Sequence, residues 1–260
     1  MNRDREDPRQ VFSRSAERYL TSTDHMSGPD LEFIRLIASQ IRPRVTLDVA
    51  AGTGHALKAA SPFSGVGIAM DLTMEMLLTA SGHLAGTALK ELYFIQSAAD
   101  SMPLVHGTVS LLTCRIASHH FPSIPGFLEE VGRVLEPGGR AVIIDSIAPE
   151  DVNCARFINE AETLRDRSHV RSHTLTSWLA YFQTADLEIV SVELFERTHP
   201  FREWAARTGL EEDGVATVEK MFLDAPDNIR EIFRVIMDIN GHVESYTDEK
   251  GIFLVSKGKG

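Results

Sequence analysis

Cysteine is nearly missing from this chain: Cys114 and Cys154 are the only two in 260 residues, too few for a disulfide framework. Long apolar runs are missing too. No stretch approaches the roughly 20 residues that a helix needs to cross a bilayer, so no membrane span is expected. Positive charge is in short supply, with 26 Lys and Arg against 37 Asp and Glu and a formal net charge of -11. Such a balance repels a phosphate backbone, and nucleic acid is not expected as a partner. The opening "MNRDREDPRQ" carries charge where a signal peptide would carry an apolar core. Together with the scarce cysteine this points to a reducing, cytoplasmic setting. There is no internal repeat and no low-complexity tract.

What is present is a 43% hydrophobic fraction, ordinary for a globular protein and enough for a sizeable core. The first ten residues read as a charged arm before an amphipathic helix carrying Val11, Phe12, Ser15, Tyr19 and Leu20. Pro29 suits a first helical turn, and Ile34, Ile37, Ala38 and Ile41 recur at helical spacing up to Pro43. From Val45 the pattern alternates. "VTLDVA", "GVGIAMD", "LYFIQS", "VSLLTC" and "GRAVIID" are short apolar runs separated by expected helices over 54–60, 73–85 and 124–135. That alternation predicts an α/β fold with a mostly parallel sheet between helices. Pro137 is expected to stop the last helix, with the glycines of "EPGGR" turning into the next strand. Beyond Asp145 the chain reads as helices and loops over a sheet edge, then a helix at 176–184 and the strand "LEIVSVELF". Helical patterns "ATVEKMFLDA" and "NIREIFRVIMDI" precede the closing strand "GIFLVSKG", so 198–246 reads as a cap.

Chemistry concentrates at the strand ends. In open α/β sheets, ligands lie beyond the carboxyl ends of the strands, where the first strand-to-helix loop meets them. Asp48, Ala50, Gly52 and Gly54 of "LDVAAGTGH" occupy that loop. A dinucleotide fold would want a Gly or Ala where Leu57 stands. Asp48 would repel a pyrophosphate, yet attract an ammonium and a sulfonium. Asp71 closes "GIAMD", from where a carboxylate can accept both hydroxyls of a ribose, and Asp100 in "SAADSMP" can accept from an adenine amino group beside the thin wall of Ala98 and Ala99. Singly, each acid reads equally as a helix cap or a solvated strand end. Taken in order, they fit an adenosine.

The runs "LDVAAGTGH", "MDLTMEML", "SAADSMPL", "TCRIASHHFPSIPGFLEEVGRVLEPGGRAVIID" and "LRDRSHVRSHTLTSWLAYF" resemble the S-adenosylmethionine-dependent methyltransferases of the seven-stranded Rossmann-like class. Within it they resemble the ubiquinone and menaquinone biosynthesis type. The resemblance is strongest over 45–145 and implies a single domain over 1–260, with a helical cap from segments 146–175 and 198–246. It implies S-adenosylmethionine as cofactor. Asp48, Ala50, Gly52 and Gly54 match the motif that holds its methionine portion, with Ala50 standing where many members have Gly. Asp71 matches the ribose-binding acid, with Leu72 beside the adenine. Ala99 and Asp100 match the adenine edge, and Arg115 and Ile116 match the strand end that faces the methyl group.

A sulfonium is already activated, so the protein has to align an acceptor, exclude water and remove a proton. His119 and His120 follow the fourth strand, where the acceptor is expected, and His120 is the preferred general base. A histidine there equally well caps a helix or supports the cofactor pocket. Arg167, His169 and Arg171, in one polar cluster with Arg165 and Asp166, either bind an acidic or hydroxylated substrate or lace a solvated face. Trp178 either lines an aromatic pocket or packs in the core. No metal is required in principle, and Asp145 and Asp151 are scattered candidates for one. The reading is methyl transfer to a small organic acceptor. The alternatives are a non-catalytic cofactor-binding sensor or partner subunit, and a nicotinamide oxidoreductase.

Overall fold

Neighbouring residues along the central strands are both buried but face different helices, which places the sheet inside a three-layer sandwich. Leu112 and Ile143 join one apolar cluster while Leu111, Val142 and Ile144 join another. This is the signature of strands covered on both faces. The computed structural model describes Glu6, Asp7, Arg9 and residues 28–258. The helix expected over Val11 to Leu20 lies outside the described residues. Of the expected N-terminal arm, Glu6 is seen to donate its backbone N–H to the Arg167 carbonyl at 3.3 Å.

The elements run α1 (Pro29–Ile41), β1 (Val45–Val49), α2 (His55–Ala60), β2 (Val66–Asp71), α3 (Met74–Leu84), β3 (Glu91–Gln96) and β4 (Val109–Arg115). They continue with α4 (Ile124–Val134), β5 (Leu135–Ala148), α5 (Val152–Arg165), β6 (His173–Thr174), α6 (Leu175–Thr184) and β7 (Leu187–Pro200). The chain closes with α7 (Phe201–Ala206), α8 (Glu212–Leu223), α9 (Asp227–Ile232), β8 (Ile236–Met237) and β9 (Val243–Lys257). Seven strands follow the order β3-β2-β1-β4-β5-β9-β7, with the two-residue strands β6 and β8 paired to β5 and β9. β9 is antiparallel to both neighbours, and the strands from β3 to β5 are parallel. This is the mostly parallel sheet between helices that the alternating runs predict, and the Rossmann-like arrangement that the resemblance implies. Parallel strands share one carboxyl edge, so loops far apart in sequence meet there.

α1 and α2 cover one face and α4 and α6 the other. Helix starts are locally encoded: Ser123, Asp151 and Thr174 accept backbone N–H groups at the heads of α4, α5 and α6. The helices α5, α7, α8 and α9 form a second core around Phe157, Trp204, Phe222 and Tyr246 above the β5–β9 side.

Two local expectations differ from the structure. The "EPGG" residues are not a free turn but the start of β5: Val109 pairs with Leu135, and the ladder then shifts so that Leu111 faces Arg140. The extra residues form a bulge, and Gly139 is required because a Cβ there would meet the Glu136 and Val109 carbonyls at 2.9 and 3.0 Å. The helical pattern from Asn228 to Ile239 ends early. α9 stops at Ile232, Arg234 turns left-handed at φ 42°, and Ile236 and Met237 pair with β9. Strand pairing there outweighs local helical periodicity.

Gly54, at φ 84°, begins α2, and a Cβ on it would lie 3.0 Å from Leu84 of α3. Gly54→Ala should therefore combine left-handed strain with a clash, costing roughly 1–3 kcal/mol. A urea titration that returned an unchanged midpoint would refute this packing role.

Candidate active site

At the carboxyl edge, the ends of β2, β1, β4 and β5 present Asp71, Asp48, Arg115 and Asp145 in that spatial order. Asp48 is buried. Its two oxygens accept from Leu57 N at 3.1 Å and Thr113 Oγ1 at 2.7 Å. Burial pushes its carboxyl up to about 7, although these hydrogen bonds and the Arg115 charge pull the other way. Asp71 accepts from Gly52 N and Thr73 N, each at 2.9 Å. Burial raises its pKa as well, opposed by the same backbone donors. Each acid thereby ties a glycine-loop or helix-start N–H to a strand end. Arg115 Nε donates to Asp30 of α1 at 2.6 Å, with both side chains buried.

Two strand exits carry backbone strain. Ala50 and Ile116, after β1 and β4, both have φ 52°, a region that costs L-residues on the order of 1–3 kcal/mol. Between these exits lies a cavity of about 450 Å³. It is lined by both strained residues and by Asp48, Asp71, His120 and Phe127, among others.

The turn after β4 is organised by Asp145. Its carboxylate accepts from Ser118 Oγ, from the His119 backbone N–H at 2.8 Å, from His119 Nδ1 at 2.6 Å and from Ser146 N at 2.7 Å. The two histidine rings lie 4.1 Å apart between centroids, tilted by 50°, but diverge in chemistry. Burial lowers the His119 pKa, yet the charge and hydrogen bond of Asp145 outweigh it, and the net shift is upward. Burial and the neighbouring His119 push His120 down to about 4, so it is neutral at pH 7. Above them, the N–H groups of Val170 and Arg171 donate to the His119 carbonyl at 2.8 and 3.0 Å, and Ser168 Oγ lies 3.2 Å from His120 Nδ1. The segment after α5 is thus fastened over the cavity.

Residues 47–143 match the methyltransferase domain family. The uncharacterized methyltransferase YcgJ of Bacillus subtilis is 32% identical over 235 residues, which cover 90% of this chain and 93% of YcgJ. The chain belongs to the methyltransferase family. The crystal structure of YcgJ superposes with a TM-score of 0.84 at 30% identity, covering 89% of this chain and 99% of that one. The ubiquinone/menaquinone biosynthesis C-methyltransferase UbiE of Methylobacterium nodulans is 31% identical over 146 residues, 52% of this chain and 58% of its own.

S-adenosylmethionine is the cofactor of this methyltransferase, and the glycine loop has room for it. A Cβ built on Gly52 meets no protein atom within 4 Å, so the space in front of that residue is cavity. Gly54 differs: it is held by packing against Leu84 and lies outside the lining. Of the residues singled out from the sequence, Asp48, Ala50, Gly52, Asp71, Leu72, Ala99, Asp100, Arg115, Ile116 and His120 meet at the cavity of the methyltransferase. His119 sits behind His120, turned to Asp145.

The four substrate candidates lie elsewhere. Arg167 and Arg171 are exposed, and His169 is buried against Asn159 Oδ1 at 3.0 Å. That loop meets the turn through its backbone N–H groups, which leaves the arginines to solvent. Trp178 packs against Phe182 and Phe253 at 5.5 and 5.3 Å in the sheet core; contact with two buried rings, one stacked and one tilted, decides its direction. Asp151 caps α5. Residues not singled out include Asp30, Thr113 and Ser168. Thr113 sits on a strand already recognised, one residue before Cys114, whereas Asp30 and Ser168 are 85 and 48 residues from their partners and leave no local signal.

Asp48 has a consequence for stability. Its folded pKa of about 7 exceeds the ordinary carboxylate value of about 4, so between those limits the native state holds more protons than the unfolded one. Its contribution to stability therefore falls as pH rises from about 4 to 7. Urea midpoints measured at about pH 5 and about pH 8 should fall more steeply for the wild type than for Asp48→Asn; parallel losses would rule out the raised pKa.

Proposed function

We propose that this methyltransferase moves a methyl group from S-adenosylmethionine to a small organic acceptor, with His120 taking the acceptor's proton. The observation that carries the reading is that Asp48, Asp71 and Asp100 line one and the same cavity as His120, Phe121 and Phe127. One relative named as a ubiquinone/menaquinone biosynthesis C-methyltransferase and another named demethylmenaquinone methyltransferase support a ring-bearing acceptor, such as a phenol or quinol. The two free cysteines fit a cytoplasmic setting.

Bound S-adenosylmethionine supplies a methyl group already activated on a sulfonium. The chain's residues divide the remaining work. The cofactor's ammonium favours the ionised form of Asp48 and is attracted by it, and Gly52 lets the backbone approach the cofactor. Asp71 accepts the ribose hydroxyls, a charge-assisted pair of bonds. Leu72 and Ala99 border the adenine, and Asp100 accepts from its amino group. Arg115 and Ile116 form the strand end beside the methyl, and the apolar rings of Phe121 and Phe127 exclude water. His120, neutral at pH 7, has a nitrogen lone pair to receive a proton. His119 holds the turn through Asp145. Arg167, His169, Arg171 and Trp178 have no part in this proposal.

Asp71→Ala should weaken S-adenosylmethionine binding by about 1.5–3 kcal/mol, roughly ten- to a hundredfold, read by calorimetry alongside S-adenosylhomocysteine. Equal affinity in a folded variant would remove Asp71 from the ribose site. Once phenols and quinols have been screened, His120→Ala should leave cofactor affinity intact and lower turnover by about a hundredfold or more. Undiminished turnover would end the base assignment.

A further inference from the structure

Asp166 and Ser168, on the loop that leaves α5, are not explained by packing alone. Ser168 Oγ donates to Asp166 Oδ1 at 2.5 Å, and the Ser168 backbone N–H donates to the same oxygen at 2.9 Å. The other carboxylate oxygen, Oδ2, is buried with no hydrogen-bond partner among the described residues. A buried carboxylate left partly unsatisfied costs stability, so its retention calls for a return elsewhere. Burial draws the Asp166 carboxyl upward, but a protonated His120, the Arg165 charge and the Ser168 hydrogen bonds draw it below the ordinary carboxylate value; with His120 neutral, Arg165 and Ser168 are the groups that favour its ionised form.

A serine hydroxyl has one proton and two lone pairs. With that proton committed to ionised Asp166, Ser168 Oγ faces His120 Nδ1 at 3.2 Å as an acceptor. A neutral imidazole that donates from Nδ1 carries its lone pair on Nε2. We propose that Asp166 and Ser168 are positioning residues that hold His120 in the Nδ1–H tautomer, so that Nε2 is the nitrogen that accepts the proton. The assignment rests on His120 acting as the base. In the step it serves, the acceptor atom forms its bond to the methyl carbon and the carbon–sulfur electron pair stays on sulfur. The acceptor's proton passes to Nε2, and the imidazolium so formed is balanced by Asp166 through Ser168. His119 is not placed for this part, since its ring is turned to Asp145 and it does not line the cavity.

The test is nitrogen-15 NMR of the histidine rings in the full-length protein at neutral pH without cofactor, with His120→Gln used to assign the His120 resonances. The wild type should show Nδ1 protonated and Nε2 bare. Ser168→Ala should shift His120 toward the Nε2–H form, and Ser168→Thr, which keeps the hydroxyl, should restore the wild-type spectrum. An Nε2–H tautomer in the wild type, or an unchanged tautomer in folded Ser168→Ala, would overturn the relay whatever the enzyme's activity. With an acceptor in hand, Asp166→Asn and Ser168→Ala should lower kcat about tenfold or more while the KM for S-adenosylmethionine stays within about twofold. A relay confirmed by NMR with unchanged kcat in His120→Ala would instead retire the base reading and leave the tautomer assignment standing.

Discussion

A carboxylate taken out of water must find donors, and at the carboxyl edge of this sheet the donors are loop N–H and hydroxyl groups. Asp71, Asp48 and Asp145 end three strands of one sheet, and each recruits the segment that follows its own strand or a neighbouring one. Asp71 draws in the glycine loop of β1, Asp48 the first turn of α2 and Thr113 of β4, and Asp145 the Ser118–His120 turn. The cavity is the space these tethered loops enclose. Its shape therefore follows from electrostatic satisfaction as much as from apolar packing.

The cap is drawn into the same system. Asp145 fixes His119, and the His119 carbonyl in turn receives Val170 and Arg171 from the segment after α5. α5, α7, α8 and α9 bury their own aromatic core, so what they lend the site is a backbone clasp and Ser168, not their arginines. Two adjacent histidines then acquire opposite characters from their surroundings alone. One faces a buried acid that favours its protonated form, and the other is desolvated beside it. Environments of this kind shift neighbouring titratable groups in opposite directions.

The same edge is where the backbone departs from comfort. Ala50 and Ile116 leave their strands in left-handed conformations, and the charges of Asp48, Arg115 and Asp30 are held away from solvent. The covered strands pay for this through Leu47, Leu112, Ile143 and Phe253, all fully buried. Strain and buried charge gathered at one rim, with an apolar sheet beneath it, match the expectation that a fold spends stability where it binds.

Much of this protein is legible in the sequence, because the controlling forces there are local. Short continuous apolar runs mark the strands, "LDVAAGTGH" needs small residues wherever it lies, and an acid at a strand end is visible as such. The fold class, the family resemblance and the cavity-lining set from Asp48 to Ile116 follow from those signals. Tertiary structure alone decided the rest. "EPGG" became a bulge because β4 lies beside it, and the pattern around Ile236 became a strand because β9 offers pairing. Trp178 turned into the core because Phe253, 75 positions away by its number, supplies a buried ring to pack on. Asp30 meets Arg115 and Ser168 meets His120 across sequence separations of 85 and 48 residues. A single chain read linearly reports what each residue prefers; which buried charge finds which donor is settled only when the parallel sheet brings its carboxyl ends together, because a hydrogen bond is fixed by distances in space.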